Sequence, residues 1–173
     1  PSENLEKNPI YDALQMATEI FEKNLALSNN SEHVRNYIIQ ERKISGDVCK
    51  KFSLGFASKS WDALSKEMLS KGISEDTLIK AGLAKKNKDN KLFDVFRDRL
   101  IFPIKDRKGR VVGFGGRVMN PDDQPKYLNT GETQVFQKGR ELYGLYETLE
   151  FRKDLKEIFV VEGYMDSIAT VSY

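Results

Sequence analysis

Ile158-Phe159-Val160-Val161-Glu162-Gly163-Tyr164-Met165-Asp166 is the stretch on which the reading of this chain turns. The apolar run from Ile158 to Val161 is short enough for a buried strand, and its C-terminal tip carries a carboxylate. Gly163 permits a tight turn, and Tyr164 to Val171 then starts a helix. In open α/β sheets, ligands and chemistry collect at the C-terminal edge of the strands. At Tyr173 such a parallel sheet is a single strand old, so an active site is expected to begin here and to need further strands.

Glu162 and Asp166 fall either side of that turn. Two carboxylates so placed can share a divalent metal, or one can act as general acid or base beside it. A two-metal site needs more acids than this pair. The same pair also suits a plain helix start, where the macrodipole favours negative charge.

Working back towards the N-terminus, the chain up to Gly82 is punctuated as helices. Ile10, Leu14, Ala17, Phe21 and Leu25 share one helical face. Ser31 is expected to cap a second helix carrying Val34, Tyr37 and Ile38. Ser45 caps a third, with Val48, Cys49 and Phe52 inward. Ser60 is expected to cap a fourth, with Gly72 as its stop and Trp61 in the core, a nucleic-acid stacking role for that ring being the alternative. Ser74 caps a fifth that stops near Gly82. The texture then changes. Leu100 to Ile104 is a strand whose Pro103 points to an edge or a bulge. Asp106-Arg107-Lys108-Gly109 is a turn, and Val111, Val112 and Phe114 return as a hairpin. Glu141 to Tyr146 leads into a helix ending near Lys153.

Gly113-Phe114-Gly115-Gly116-Arg117 lacks the spacing of a dinucleotide or P-loop fingerprint. Its glycines can let backbone approach a phosphate chain beside the forked donor Arg117, or they can mark a bulge in a twisted strand. Lys126-Tyr127 pairs a cation with a ring that can stack on a base, and Phe136-Gln137-Lys138-Gly139-Arg140 repeats that chemistry. Net charge is only +2, so the whole molecule names no partner. The stretch from Lys105 to Arg140 is locally basic, however, and is either a solvated charged surface or a site for an anionic ligand such as nucleic acid or nucleotide. Cys49 is the single cysteine, which excludes an internal disulfide and a cysteine-cluster zinc site and fits a reducing cytoplasm. The single histidine, His33, has no neighbouring ligand type and reads as an exposed or capping residue. No apolar run approaches the length of a membrane span, and no signal peptide is seen. Pro1-Ser2-Glu3-Asn4 reads as the cut end of a larger protein.

Taken together, Phe52-Ser53-Leu54-Gly55-Phe56-Ala57 with Trp61-Asp62, Phe96-Arg97-Asp98-Arg99-Leu100-Ile101-Phe102-Pro103-Ile104, Gly109 to Val118, Pro125-Lys126-Tyr127-Leu128-Asn129, Phe136 to Arg140, Leu142-Tyr143-Gly144-Leu145-Tyr146 and Val160 to Asp166 resemble the catalytic core of DnaG-type bacterial DNA primases. The last of these matches the opening motif of that family's Toprim module. The resemblance implies a mixed α/β fold: a helical part (residues 1–82) and a mixed part with a small antiparallel sheet (83–156) form an N-terminal subdomain, and 157–173 starts a Toprim-type parallel sheet. It implies a nucleotidyltransferase, a DNA-directed RNA polymerase making short RNA primers on single-stranded DNA from nucleoside triphosphates, dependent on Mg2+ or Mn2+. Glu162 would be metal ligand or general base, with Asp166 its acidic partner. Template and nucleotide contacts carry onto Arg117, Lys126, Tyr127 and Lys138, and onto Arg42, after which the family more often has glycine where this chain has Lys43.

The family also has a zinc-binding domain before this region, further Toprim acids (an Asp-x-Asp motif and an acidic pair) and a C-terminal region that binds the replicative helicase, none of which is in this sequence. The expectation is therefore a primase fragment, inactive alone, from a cytoplasmic enzyme of the replication fork with no membrane partner. Two rival readings are a non-catalytic single-stranded-DNA-binding module and a part of another Toprim enzyme, a topoisomerase or nuclease.

Overall fold

In the computed structural model, residues 8–151 and 163–172 are described. The expected strand Ile158–Val161 and Glu162 lie outside them.

Helix α1 (Pro9–Leu27) opens with Pro9 behind Asn8, whose side chain accepts from the Ile10 N–H at 3.0 Å. That arrangement satisfies one of the helix's orphan donors. The apolar row read from the sequence is buried. At the other end of α1, Ser31 does something its position did not announce. Its hydroxyl faces the carbonyls of Asn24, Leu25 and Ser28, and Arg35 Nη1 reaches the Leu25 and Ser28 carbonyls at 2.8 and 3.0 Å. Ser31 makes no cap bond to α2 (Glu32–Asn36). The last carbonyls of α1 need donors, and they claim it. A π turn (Tyr37–Glu41) follows α2, and Lys43 then takes φ +56°. Helix α3 (Gly46–Lys51) has the expected cap, Ser45 accepting from Val48 N–H at 3.3 Å.

Strand β1 (Gly55–Ala57) interrupts the part expected to be wholly helical. Three residues are too few to show a period, and their pairing partner lies far along the chain. Helix α4 (Ala63–Ser70) starts later than Ser60 predicts, because its cap comes from another element. The buried carboxylate of Asp94 accepts from the Leu64 and Ser65 N–H groups, both at 2.9 Å. Helix α5 (Glu75–Lys80) is capped by Ser74 as expected and stops at Gly82, φ +73°.

Strands β2 (Ala84–Lys86) and β3 (Leu92–Asp94) form a separate ribbon, while β4 (Arg99–Lys105), β5 (Val111–Val118) and β6 (Tyr127–Asn129) join β1 in a four-stranded sheet of order β1-β4-β5-β6. Every pairing is antiparallel. Pro103 follows the edge reading: strand β1 pairs only with Arg99–Ile101, so Pro103 lies beyond it. The β4–β5 register is regular at Pro103 and shifts only between Ile104 and Lys105.

Alternation along β4 divides the core. Ile101 joins Phe114 and the helices α1, α4 and α5 on one face. Leu100 and Phe102 face Val34, Ile38, Phe52, Met165 and Ile168 on the other. Helix α6 (Leu145–Phe151) is tied to β4 by a nearly dry ion pair, Lys105 Nζ to Glu147 Oε1 at 3.0 Å. Helix α7 (Tyr164–Ser172) is the helix expected after Gly163. The architecture is the expected mixture of helices and antiparallel sheet. Among the described residues, no helix is long and apolar enough to cross a membrane.

Candidate nucleic-acid interface

Gly115 and Gly116 of β5 mark neither a bulge nor a phosphate cradle, whereas Gly113 borders the register shift that leaves Val112 unpaired. The β4–β5 register is unbroken from Arg99–Val118 to Ile104–Gly113, and the space above each glycine is filled by protein. A Cβ on Gly116 would lie 2.8 Å from Phe96 Cδ1, one on Gly113 would lie 3.1 Å from Thr130 Cβ, and one on Gly115 would overlap the Tyr164 ring. These are close approaches of side chains to backbone. They are spread over both faces, because neighbouring residues of a strand point to opposite sides.

The antiparallel register builds the site at the end of that sheet. Tyr127 on β6 stands opposite Arg117 on β5, and Arg117 stands opposite Leu100 on β4, so all three share the face that carries Tyr164. The Arg117 guanidinium lies 4.7 Å from the centre of the Tyr37 ring, a cation–π contact supplied by the π turn. Burial pushes the Tyr37 phenol up from its ordinary range, while Arg117 and Arg42 act in the opposite direction. Arg42 therefore belongs electrostatically to the same group. Lys126 and Arg117 line a cavity of about 230 Å3 with Val118, Met119, Pro121 and Gln124. The structure thus brings together Arg42, Arg117, Lys126 and Tyr127.

Lys138 sits apart. It follows Phe136, which packs with Ile104 and Val112 towards the other end of β5. Its backbone N–H donates to Glu132 Oε1 at 2.8 Å. Asp166 is exposed in the first turn of α7, and Glu162 lies outside the described residues. Among the described residues, no three carboxylate, histidine or cysteine side chains converge. Asp166 does not by itself make a metal site.

Sequence reasoning missed a second cation–aromatic cluster. Trp61, expected in the core, is 49% exposed. Because α4 begins at Ala63, Trp61 precedes the buried helical face and lies on the surface. Its ring stacks on Phe93 at 4.8 Å, with the Arg97 guanidinium 4.4 Å from Trp61 and 5.5 Å from Phe93. Those three distances form a nearly equal-sided triangle, so Phe93 and Arg97 do not sandwich the indole. Arg97 Nη1 is buried without a hydrogen-bond partner, beside a cavity of about 340 Å3 that Lys59 and Arg99 also line. The pair Trp61 and Arg97 was legible as residue types, but their juxtaposition was not.

Comparison with known proteins gives the family. The family model of the DNA primase catalytic core, N-terminal domain, matches residues 20–149. A DNA primase of Pseudomonas aeruginosa is 45% identical over 163 residues, which is 94% of this chain and 24% of that protein. A crystal structure of a DNA primase domain from Pseudomonas aeruginosa superposes with a TM-score of 0.85 at 46% identity, covering 93% of this chain and 50% of that one. A structure of the DnaG primase catalytic domain bound to ssDNA superposes with a TM-score of 0.85 at 39% identity, covering 95% of this chain and 50% of that one. The chain belongs to the family of DNA primase catalytic cores, as a match to their N-terminal domain. It spans about a quarter of the length of the curated relatives it matches.

Proposed function

We propose that this chain is the template- and nucleotide-holding part of a DNA primase, an enzyme that polymerises short RNA primers on single-stranded DNA. The observation that carries the reading is the sheet end where exposed Lys126, Tyr127 and Arg42 gather round Arg117, whose guanidinium rests on the buried Tyr37 ring. Cations can meet phosphates there while the Tyr127 ring meets a base or sugar. The relative solved with single-stranded DNA supports it. Trp61, Arg97 and Lys59 offer a further stacking and phosphate contact for the template.

In the reaction, a primer 3′-hydroxyl oxygen attacks the α-phosphorus of a nucleoside triphosphate. The new O–P bond forms as the bond to pyrophosphate breaks, and the hydroxyl proton passes to a base. Arg117 holds a phosphate, Lys126 and Lys138 hold nucleotide or template, and Tyr127 meets a base or sugar. These contacts orient the reactants. The Mg2+ or Mn2+ that the resemblance implies finds no site among the described residues. Further carboxylates would have to join Asp166, Glu162 among them, and this chain alone is expected to make no primers. A zinc domain and a helicase-binding region would likewise belong to a longer primase.

The test is a titration of labelled single-stranded DNA over a salt series into the chain and its K126E/K138E variant. Salt-sensitive binding that weakens by about tenfold or more in the variant, with a shallower salt slope, is the expected result. Unchanged binding would remove both lysines from the track. No binding by the unaltered chain would overturn the reading of this face.

A further inference from the structure

We infer that Tyr164 is a positioning residue for the nucleic-acid face: it seats helix α7 on the sheet and holds Asn129 and Tyr127, so that the face is complete only when α7 is docked. The seat is made for this ring. Gly115 removes the side chain that would overlap it. Phe102 stacks on it at 4.9 Å with an interplanar angle of 8°, and Tyr143 meets it edge-on at 4.7 Å. Its hydroxyl donates to Asn129 Oδ1 at 2.5 Å. Asn129 pairs with Gly115 in the same register that sets Tyr127 opposite Arg117, and the Tyr127 ring centre is 6.2 Å from that of Tyr164.

Helix α7 is held a second time one turn on. Ser167 Oγ donates to the Tyr143 carbonyl at 3.3 Å, above Gly144, where a Cβ would collide with it. The acid Asp166 lies between these two anchors in sequence. A displacement of α7 therefore moves Tyr164, and with it the support under Asn129 and Tyr127. The consequence for binding rests on the nucleic-acid reading of the face. The docking itself rests on geometry alone.

The experiment uses the whole chain, oligo-dT as probe, and the variants Tyr164→Phe and Asn129→Ala, which remove the same hydrogen bond from its two sides. Each is expected to weaken oligo-dT binding by about 3- to 10-fold, the worth of one hydrogen bond. That loss is expected to vanish in a Tyr127→Ala background and to persist in a Trp61→Ala background. An equal loss in both backgrounds would mean a general structural effect and would overturn the inference. In parallel, NMR spectra of Tyr164→Phe are expected to show shifts at Tyr127, Asn129 and the Arg117 Nε–H, with the Trp61 indole unmoved. Shifts confined to α7 would also overturn it. If the unaltered chain binds no oligo-dT, the nucleic-acid reading fails, and the NMR comparison still decides whether Tyr164 positions Tyr127.

Discussion

Gly115 and Gly116 are adjacent on β5 and serve opposite faces of one sheet. Gly116 makes room for Phe96 in a core closed by α1, α4 and α5, where Phe114 is 0% exposed. Gly115 makes room for Tyr164, the first residue of a helix that follows the rest of the sheet late in the chain. The first face is sealed by elements that also pack on one another, and Phe21, Phe96 and Phe114 meet edge to face inside it. The second face runs out through Tyr164 and Asn129 to the exposed Tyr127. The same residue type, with the same lack of a side chain, thus supports a closed core on one side and a seat for a separate element on the other. The difference teaches that a missing side chain can seat a ring inside a sealed core or a ring that leads out to an exposed margin.

Three measurements can break or sharpen this contrast. The largest effect is expected in the closed face. Phe114→Ala should lower the unfolding free energy in urea by about 3–5 kcal/mol, the usual cost of emptying a buried phenylalanine site. Gly115→Ala should cost less globally. Its signature should be faster hydrogen exchange of the α7 amides while β4 and β5 keep their protection. Equal global losses for the two variants would show that both faces form one cooperative unit.

A smaller effect is expected in alkali. Burial, with Tyr127 adding to it, pushes the Tyr164 phenol up from 10.0 to about 12. The folded state therefore holds this proton more tightly than the unfolded chain does. That contribution is fully present below pH 10 and is lost as pH rises towards 12. Comparing unfolding midpoints of the parent and Tyr164→Phe across this window isolates it from the other tyrosines. The variant should lose less stability over the window, and parallel curves would mean that the ring is not buried in the seat described.

The smallest effect concerns the edge of the open face. Lys43 holds φ +56° directly after Arg42, a backbone region that favours glycine. Lys43→Gly should stabilise the chain by up to about 1 kcal/mol and leave the oligo-dT affinity unchanged. A weaker affinity would show that the Lys43 side chain contributes to the face. Glycine, the residue that the resemblance leads one to expect there, would adopt this backbone without strain.

Much of the fold was legible because its determinants lie close together in the chain. The row from Ile10 to Leu25, the caps at Ser45 and Ser74 and the turn from Asp106 to Gly109 each depend on residues within a few positions of one another. Of the candidate site, the residue types marked Arg117, Lys126 and Tyr127 as chemistry, the resemblance alone added Arg42, and the β5–β6 register and the π turn gathered them. Ser60 was read as the cap of α4 because the reading could see only neighbours, whereas the donors are met by Asp94 from β3. Trp61 was assigned to the core for the same reason.

By itself, then, the sequence determined the helices from Pro9 to Lys80 and the β4–β5 hairpin, though not the short strands β1, β2 and β3, and it determined which residue types could bind an anionic polymer, since propensity, capping and turn formation act over one or two turns of chain. Tertiary structure alone decided where those residues meet. It placed Tyr164 over Gly115, Arg117 beside Tyr37 and Trp61 at the surface with Arg97. Strand register and the packing of distant side chains are set by the whole buried surface at once, and no local window contains that information.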